Sequence, residues 1–226
     1  MDLTASESSQ HRRLACNGQD PLYDTAETAA SYDRAAKGFA ARWSDLRLDR
    51  ALNTFAACIT GQRRVLDLGC GPGRDVDFLT QLGCQAVGLD LSAGMLAQAR
   101  GRLPAGSLVR ADLRRIPFSP GAFDGIWACA SLLHLCRAEL PVILTGLSRL
   151  LRCPGGVLYV ALKGGQGERW VTGSGGEPYF FTYYQPAEVE TLLDSAGFQV
   201  VESWVSPDQA GRDEPWINCI ARVRTG

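Results

Sequence analysis

The run Val65-Leu66-Asp67-Leu68-Gly69-Cys70-Gly71-Pro72-Gly73 constrains this chain more than any other feature. Four residues of buried-strand character stop at glycines on every second position. Beyond them Arg74 to Leu82 carries Val76, Phe78, Leu79 and Leu82 at helical spacing, with Gly83 as the stop. Glycines there allow a sharp turn and a close backbone approach to a ligand, and the helix N-terminus that follows favours negative ligand groups. A strand-to-helix turn of this kind reads as a ligand site.

The same alternation continues down the chain. Strands are predicted at Gln85 to Leu89, Ser107 to Ala111, Phe123 to Ala130 and Gly156 to Leu162. Helices are predicted from Ser92, as N-cap, through Arg100, near Leu140 to Leu151, and from Pro186 to Ala196. In the Leu140 helix Ile143, Leu144, Leu147, Leu150 and Leu151 make an apolar stripe, and Cys153-Pro154-Gly155-Gly156 ends it. Strands alternating with helices mean βαβ units and a mainly parallel sheet. Two closing strands, Phe198 to Val205 and Trp216 to Val223, have no helix between them and so pair as an antiparallel hairpin at a sheet edge. Ahead of the first strand, residues 1–20 read as a mobile polar tail, and 21–60 as an Ala-rich cap of two or three helices. Residues 61–226 then form the core, with a Gly-rich aromatic insertion at 163–184.

Composition narrows the function. With 23 basic against 24 acidic residues the formal charge is −1, which provides no broad positive field for a phosphate backbone, so nucleic acid is not an expected partner. Eight cysteines contain no C-x-x-C pair and several lie in apolar stretches, which points to free thiols and a reducing cytoplasm, with no metal site. No apolar segment suggests a signal or a membrane span.

A nicotinamide dinucleotide is the obvious rival for the turn, because its fingerprint is G-x-G-x-x-G. Here Arg74 stands where the last glycine belongs, and Asp67 lies at the strand's carboxyl end, where it would repel a pyrophosphate but attract an ammonium or sulfonium. The nine-residue run resembles motif I of the class I S-adenosylmethionine-dependent methyltransferases. Later phrases follow in that family's order: Gly88-Leu89-Asp90-Leu91-Ser92 with Met95 and Leu96, Ala111-Asp112-Leu113, Phe123-Asp124-Gly125-Ile126, Arg152-Cys153-Pro154-Gly155-Gly156, and Ala196-Gly197-Phe198.

The resemblance spans roughly residues 60 to 223 and implies a Rossmann-like three-layer α/β/α sandwich. Its seven-stranded, mostly parallel sheet has the order 3-2-1-4-5-7-6, the last strand antiparallel, under an N-terminal helical cap. It implies S-adenosyl-L-methionine as cofactor, held by Asp67, Gly69, Cys70, Gly71 and Gly73 at the turn. Asp90 and Leu91 are placed at the ribose, where a bidentate carboxylate suits a vicinal diol. Asp112 and the Leu113 amide meet the adenine, Cys129 lies near the methionine part, and Tyr32 reaches down from the cap. Met95 is either core or the floor beneath adenine.

Methyl transfer from a sulfonium needs alignment and exclusion of water more than acid–base work. Where a base is used, His134 is the candidate, since it follows strand four while His11 lies in the tail. The acceptor pocket is expected from the cap and the aromatic insertion, with Tyr23, Trp170 and Tyr183 as contacts and the glycines at 164–167 and 173–176 as hinges of a flap. Few charges among those aromatics suit a small, partly apolar organic acceptor. An NAD(P)-dependent oxidoreductase and a non-catalytic S-adenosylmethionine-binding module are the alternatives; acceptor identity and oligomeric state are not encoded in these motifs.

Overall fold

A computed structural model of the chain describes residues 25–224 save 44, 45, 47, 105 and 210, so the tail and Tyr23 lie outside the described residues. Two helices come first, α1 (Thr25–Trp43) and α2 (Asp49–Cys58). The alternating part follows as β1 (Arg64–Leu68), α3 (Arg74–Gln81), β2 (Gln85–Asp90), α4 (Ala93–Ala99), β3 (Leu108–Arg110), β4 (Gly125–Cys129), α5 (Leu140–Leu150) and β5 (Val157–Gly164). Then come β6 (Glu168–Thr172), β7 (Pro178–Tyr184), α6 (Pro186–Ser195), β8 (Phe198–Ser206) and β9 (Trp216–Val223).

Strands β3, β2, β1, β4 and β5 pair in that order and in parallel. β9 runs antiparallel beside β5, and β8 antiparallel outside β9, so the edge hairpin forms as its composition predicts. The order β3-β2-β1-β4-β5-β9-β8 is the expected seven-stranded arrangement with its reversed last strand. Two further strands make the count nine. They are β6 and β7, an antiparallel hairpin in the insertion whose pairing with β5 runs through Lys163–Tyr183 and Gly164–Tyr184. The insertion is thus an ordered hairpin. Pro178-Tyr-Phe-Phe-Thr-Tyr-Tyr is rich in strand-favouring aromatics, and Gly173 to Gly176 lie between the two strands as its turn.

Alternation along each strand sends side chains to opposite faces. Leu66, Leu68, Ile126, Leu158 and Val160 bury against the stripe of α5 and Val189 and Leu193 of α6. Val65, Trp127, Val157 and Tyr159 bury against α2, α3 and α4, and the Trp127 and Tyr159 rings stack 3.8 Å apart. Phe55 of α2 is fully buried beside Trp127, and truncating it to alanine would cost about 3–5 kcal/mol. The parallel strands end on one edge, and α1 lies across it. Asp33 of α1 accepts from Ser92 Oγ (2.5 Å) and Gly94 N (2.7 Å) on one side, and Arg34 pairs with Glu177 (2.7 Å) on the other.

Candidate active site

β1 leaves the sheet at Leu68 and the backbone turns through Gly69 (φ 77°) and Gly71 (φ 52°), conformations that L side chains rarely adopt. Gly69 N and Cys70 N both donate to Leu89 O, at 2.7 and 3.0 Å, which fastens the turn to β2. A Cβ on Gly69 would collide with Ser131, while one on Gly71 would meet nothing within 4 Å and would project into open space. Gly73 also has positive φ, but it caps α3 and packs against Leu103 and Ala99, away from the cavity wall.

Asp90, at the end of β2, is held by backbone alone: Gly71 N donates to Oδ2 and Ser92 N to Oδ1, each at 2.8 Å. Burial raises its pKa, opposed by those amides. Asp67 is only 2% exposed, and its Oδ2 has no hydrogen-bond partner among the described residues. Burial pushes its pKa well above the ordinary carboxylate range, the neighbouring Asp75 adds to this, and Arg74 opposes it. Arg74 is spent mainly on Asp75, donating at 2.6 and 3.0 Å, and Asp75 also accepts from Trp127 Nε1 (3.0 Å). Asp112 is bridged on both oxygens by Arg114; burial works against ionisation, but those hydrogen bonds win and lower its pKa.

At the exit of β4, Ala130 takes a positive φ of 55°, a strained choice for alanine that turns the chain into a single 3-10 turn, Leu132–His134. His134 Nδ1 lies 2.9 Å from Phe180 O, a carbonyl that only accepts, so Nδ1 carries the proton and Nε2 the lone pair. Tyr32 Oη sits 2.9 Å from that Nε2 and donates to it. Burial drives the imidazole pKa down to about 4 and raises that of the Tyr32 hydroxyl.

These groups face one chamber of about 900 Å³, near the top of the range for ligand sites, which gives space for two molecules. Its walls bring together Asp67, Gly69, Cys70, Gly71, Asp90 and Leu91, and also Met95, Asp112, Leu113, Cys129, Tyr32 and His134. Trp170 and Tyr183 are outside it. Trp170 pairs in register with Phe180 and packs edge-on against that ring, on the far face of the hairpin. Tyr183 is buried where β7 reaches β5, with the Arg169 guanidinium 3.7 Å over its ring. The hairpin's aromatic contribution to the wall is instead Tyr179 and Phe181, facing Phe39 and Trp43 of α1 among the lining residues. Arg212 and Asp208, from the loop joining β8 to β9, also line the chamber, and no motif marked them.

Residues 65–156 match the family described as methyltransferase domain. A curated malonyl-[acyl-carrier protein] O-methyltransferase of Enterobacter lignolyticus is 37% identical over 140 residues, 61% of this chain and 54% of that protein. An uncharacterized methyltransferase of Synechocystis is 31% identical over 154 residues, covering 63% of this chain and 70% of the relative. An 18S rRNA (guanine-N(7))-methyltransferase of Bos taurus is 33% identical over 132 residues, 57% of this chain and 45% of that protein. Among solved structures, a 1,6-didemethyltoxoflavin-N1-methyltransferase of Burkholderia thailandensis with bound S-adenosylhomocysteine superposes with a TM-score of 0.70 at 21% identity, over 92% of this chain and 94% of its own. The chain belongs to the class I S-adenosylmethionine-dependent methyltransferases, a family that implies S-adenosyl-L-methionine as cofactor. It spans about half the length of the curated relatives it first matches.

The cofactor fits the residues present. The buried Asp67 Oδ2, which has no hydrogen-bond partner among the described residues, would suit its ammonium, the pre-held Asp90 would suit its diol, and the open side of Gly71 would leave the approach free. No helix among the described residues is long and apolar enough to cross a membrane, and no cluster of metal-ligating side chains occurs among them.

Proposed function

We propose that this protein methylates a small organic acceptor, using S-adenosylmethionine held at the glycine turn. The observation that carries the reading is Asp67: a carboxylate this buried, with an unused oxygen, is costly unless a cation completes it. When bound, the cofactor supplies a methyl carbon activated by cationic sulfur and open to in-line displacement by an acceptor lone pair.

The chain's own residues bind, align and exclude water. Asp67 and Asp90 fix the two polar ends of the cofactor, Leu113 offers its amide at the base, and Asp112 has both oxygens engaged by Arg114, so it serves the adenine side through lone pairs left over. Met95 is 1% exposed and touches the wall from the core side. Within the 21–60 segment the described helices α1 and α2 act as a cap, with α1 pinned across the chamber, and 163–184 supply the acceptor wall. His134 does not face the acceptor with its lone pair, because Tyr32 Oη occupies it. With a pKa near 4 it resists taking a proton, so we assign it the positioning of Tyr32 rather than the role of base.

A macromolecular acceptor, as the name of the rRNA-modifying relative suggests, is the second reading. The net charge of −1 weighs against it. Incubation with labelled S-adenosylmethionine and fractionated extracts, followed by mass identification of the product, decides both. A labelled small molecule supports the proposal, labelled RNA replaces it with the second reading, and cofactor binding without any product from any pool leaves a binding module.

A further inference from the structure

The charges around the chamber are not evenly spread. At the turn end, once Arg74 is matched to Asp75 and Arg114 to Asp112, the carboxylates of Asp67 and Asp90 remain without a cationic partner among the described residues. At the far end the balance is reversed. Arg34 is matched to Glu177 and Glu27, and Asp208 to Lys163. Arg42 donates to Ser174 Oγ and lies over Trp43. Arg212 makes no hydrogen bond or ion pair among the described residues; its guanidinium lies 5.9 Å from the centre of the Phe181 ring, and its charge acts on the hydroxyls of Tyr32 and Tyr179.

Arg212 is exposed, yet the loop that carries it is not loose. Lys163, 1% exposed inside β5, pairs with Asp208, donates to Glu214 O (3.0 Å) and lies 4.2 Å over the Trp216 ring. Arg169 of the hairpin pairs with Glu214 (2.7 Å), and Gly164 N donates to Pro215 O (2.8 Å). A buried lysine spent on anchoring the surface loop 207–215 is expensive unless the loop must be held in place. What it holds is an uncommitted guanidinium beside Phe181 on the chamber wall. A guanidinium offers a rigid fork of donors matched to a carboxylate.

We propose that the acceptor is an organic acid whose carboxylate is received by Arg212 while its apolar or aromatic body lies against Tyr179 and Phe181, with Lys163 and Asp208 as positioning residues. The proposal rests on the methyl-transfer reading above, since it divides the chamber into a cofactor end and an acceptor end. It is also complementary to it: a cationic cofactor at the acidic end and an anionic acceptor at the basic end each meet opposite charge.

The test is titration calorimetry with a panel of aryl and arylalkyl carboxylates, each paired with its primary amide, on protein with and without S-adenosylhomocysteine. At least one carboxylate should bind about tenfold or more tightly than its amide, the usual effect of a charge-assisted pair. Arg212→Gln should erase that preference, Arg212→Lys should restore part of it, and neither should shift S-adenosylhomocysteine affinity by more than about twofold. Carboxylates that bind no better than their amides, or not at all, overturn the proposal, as does a preference that survives in Arg212→Gln. Failure of S-adenosylhomocysteine to bind the unaltered protein would instead remove the methyl-transfer reading, and it is seen in a separate titration.

Discussion

At the glycine-turn end of the chamber Asp90 is held by backbone amides, whereas the hairpin end is tied together by side chains from remote segments. Asp90 is gripped by Gly71 N and Ser92 N, both within about twenty residues of it. Tyr32 meets His134 from 102 positions away, and Arg34 meets Glu177 from 143. Backbone amides cost nothing to orient once the strands pair, so the placing of Asp90 follows from the sheet and its turns. The second end exists only while α1 is docked, and its geometry depends on several exposed or half-buried pairs that are individually weak.

That contrast can be broken most sharply at the turn. Gly71→Val adds a side chain in a left-handed backbone position and in the open space of the chamber, and should abolish saturable S-adenosylhomocysteine binding. A normal isotherm would show that the turn does not face the cofactor. Asp90→Ala should weaken the same binding by about 1.5–3 kcal/mol, roughly ten- to hundredfold, and an unchanged Kd would remove Asp90 from the site.

The two ends should also answer pH in opposite senses. Asp67 has a folded pKa above its unfolded value, so its contribution to stability is present at low pH and is lost as pH rises through the folded value. An ammonium beside it favours the ionised form. The extra thermal stability conferred by S-adenosylhomocysteine should therefore grow with pH, and Asp67→Asn should flatten that growth. His134 has a folded pKa near 4, below the ordinary value of about 6.5, so its contribution is present above about 6.5 and is lost as pH falls toward 4. Melting curves of the unliganded protein between pH 4 and 7 should rise with pH, and His134→Phe should reduce the slope. The smallest effect is expected for Tyr179→Ala: cofactor affinity within about twofold, with the change confined to KM for the acceptor. A large loss of cofactor affinity in that variant would mean that the two ends are not separable.

The same contrast explains what could be read from the residues alone. Asp67, Gly71 and Asp90 sit in short motifs whose spacing follows from one βαβ unit, so their approach to each other needs no distant partner. The strand order and the reversed last strand, β9 inside the edge strand β8, were legible through the family resemblance. Trp170 and Tyr183 were not separable from Tyr179 and Phe181 by composition. Which aromatics face the chamber depends on the register of the hairpin, which puts Trp170 opposite Phe180, and on where β7 meets β5, which covers Tyr183. Arg212 left no local signal at all. Its relevance comes from Lys163, near the end of β5 and 45 positions before Asp208, fastening its loop.

One feature of the turn end reaches beyond the catalytic cycle. On the proposed reading Asp67 and Asp90 recognise an amino group and a sugar, and neither of those groups is altered when the methyl group departs. Spent cofactor therefore keeps nearly every handle by which fresh cofactor is gripped, and the protein must be throttled by its own waste. Progress curves should bend early and straighten when a hydrolase that destroys S-adenosylhomocysteine is added, so the rate in any setting will follow the ratio of the two nucleosides rather than the amount of either.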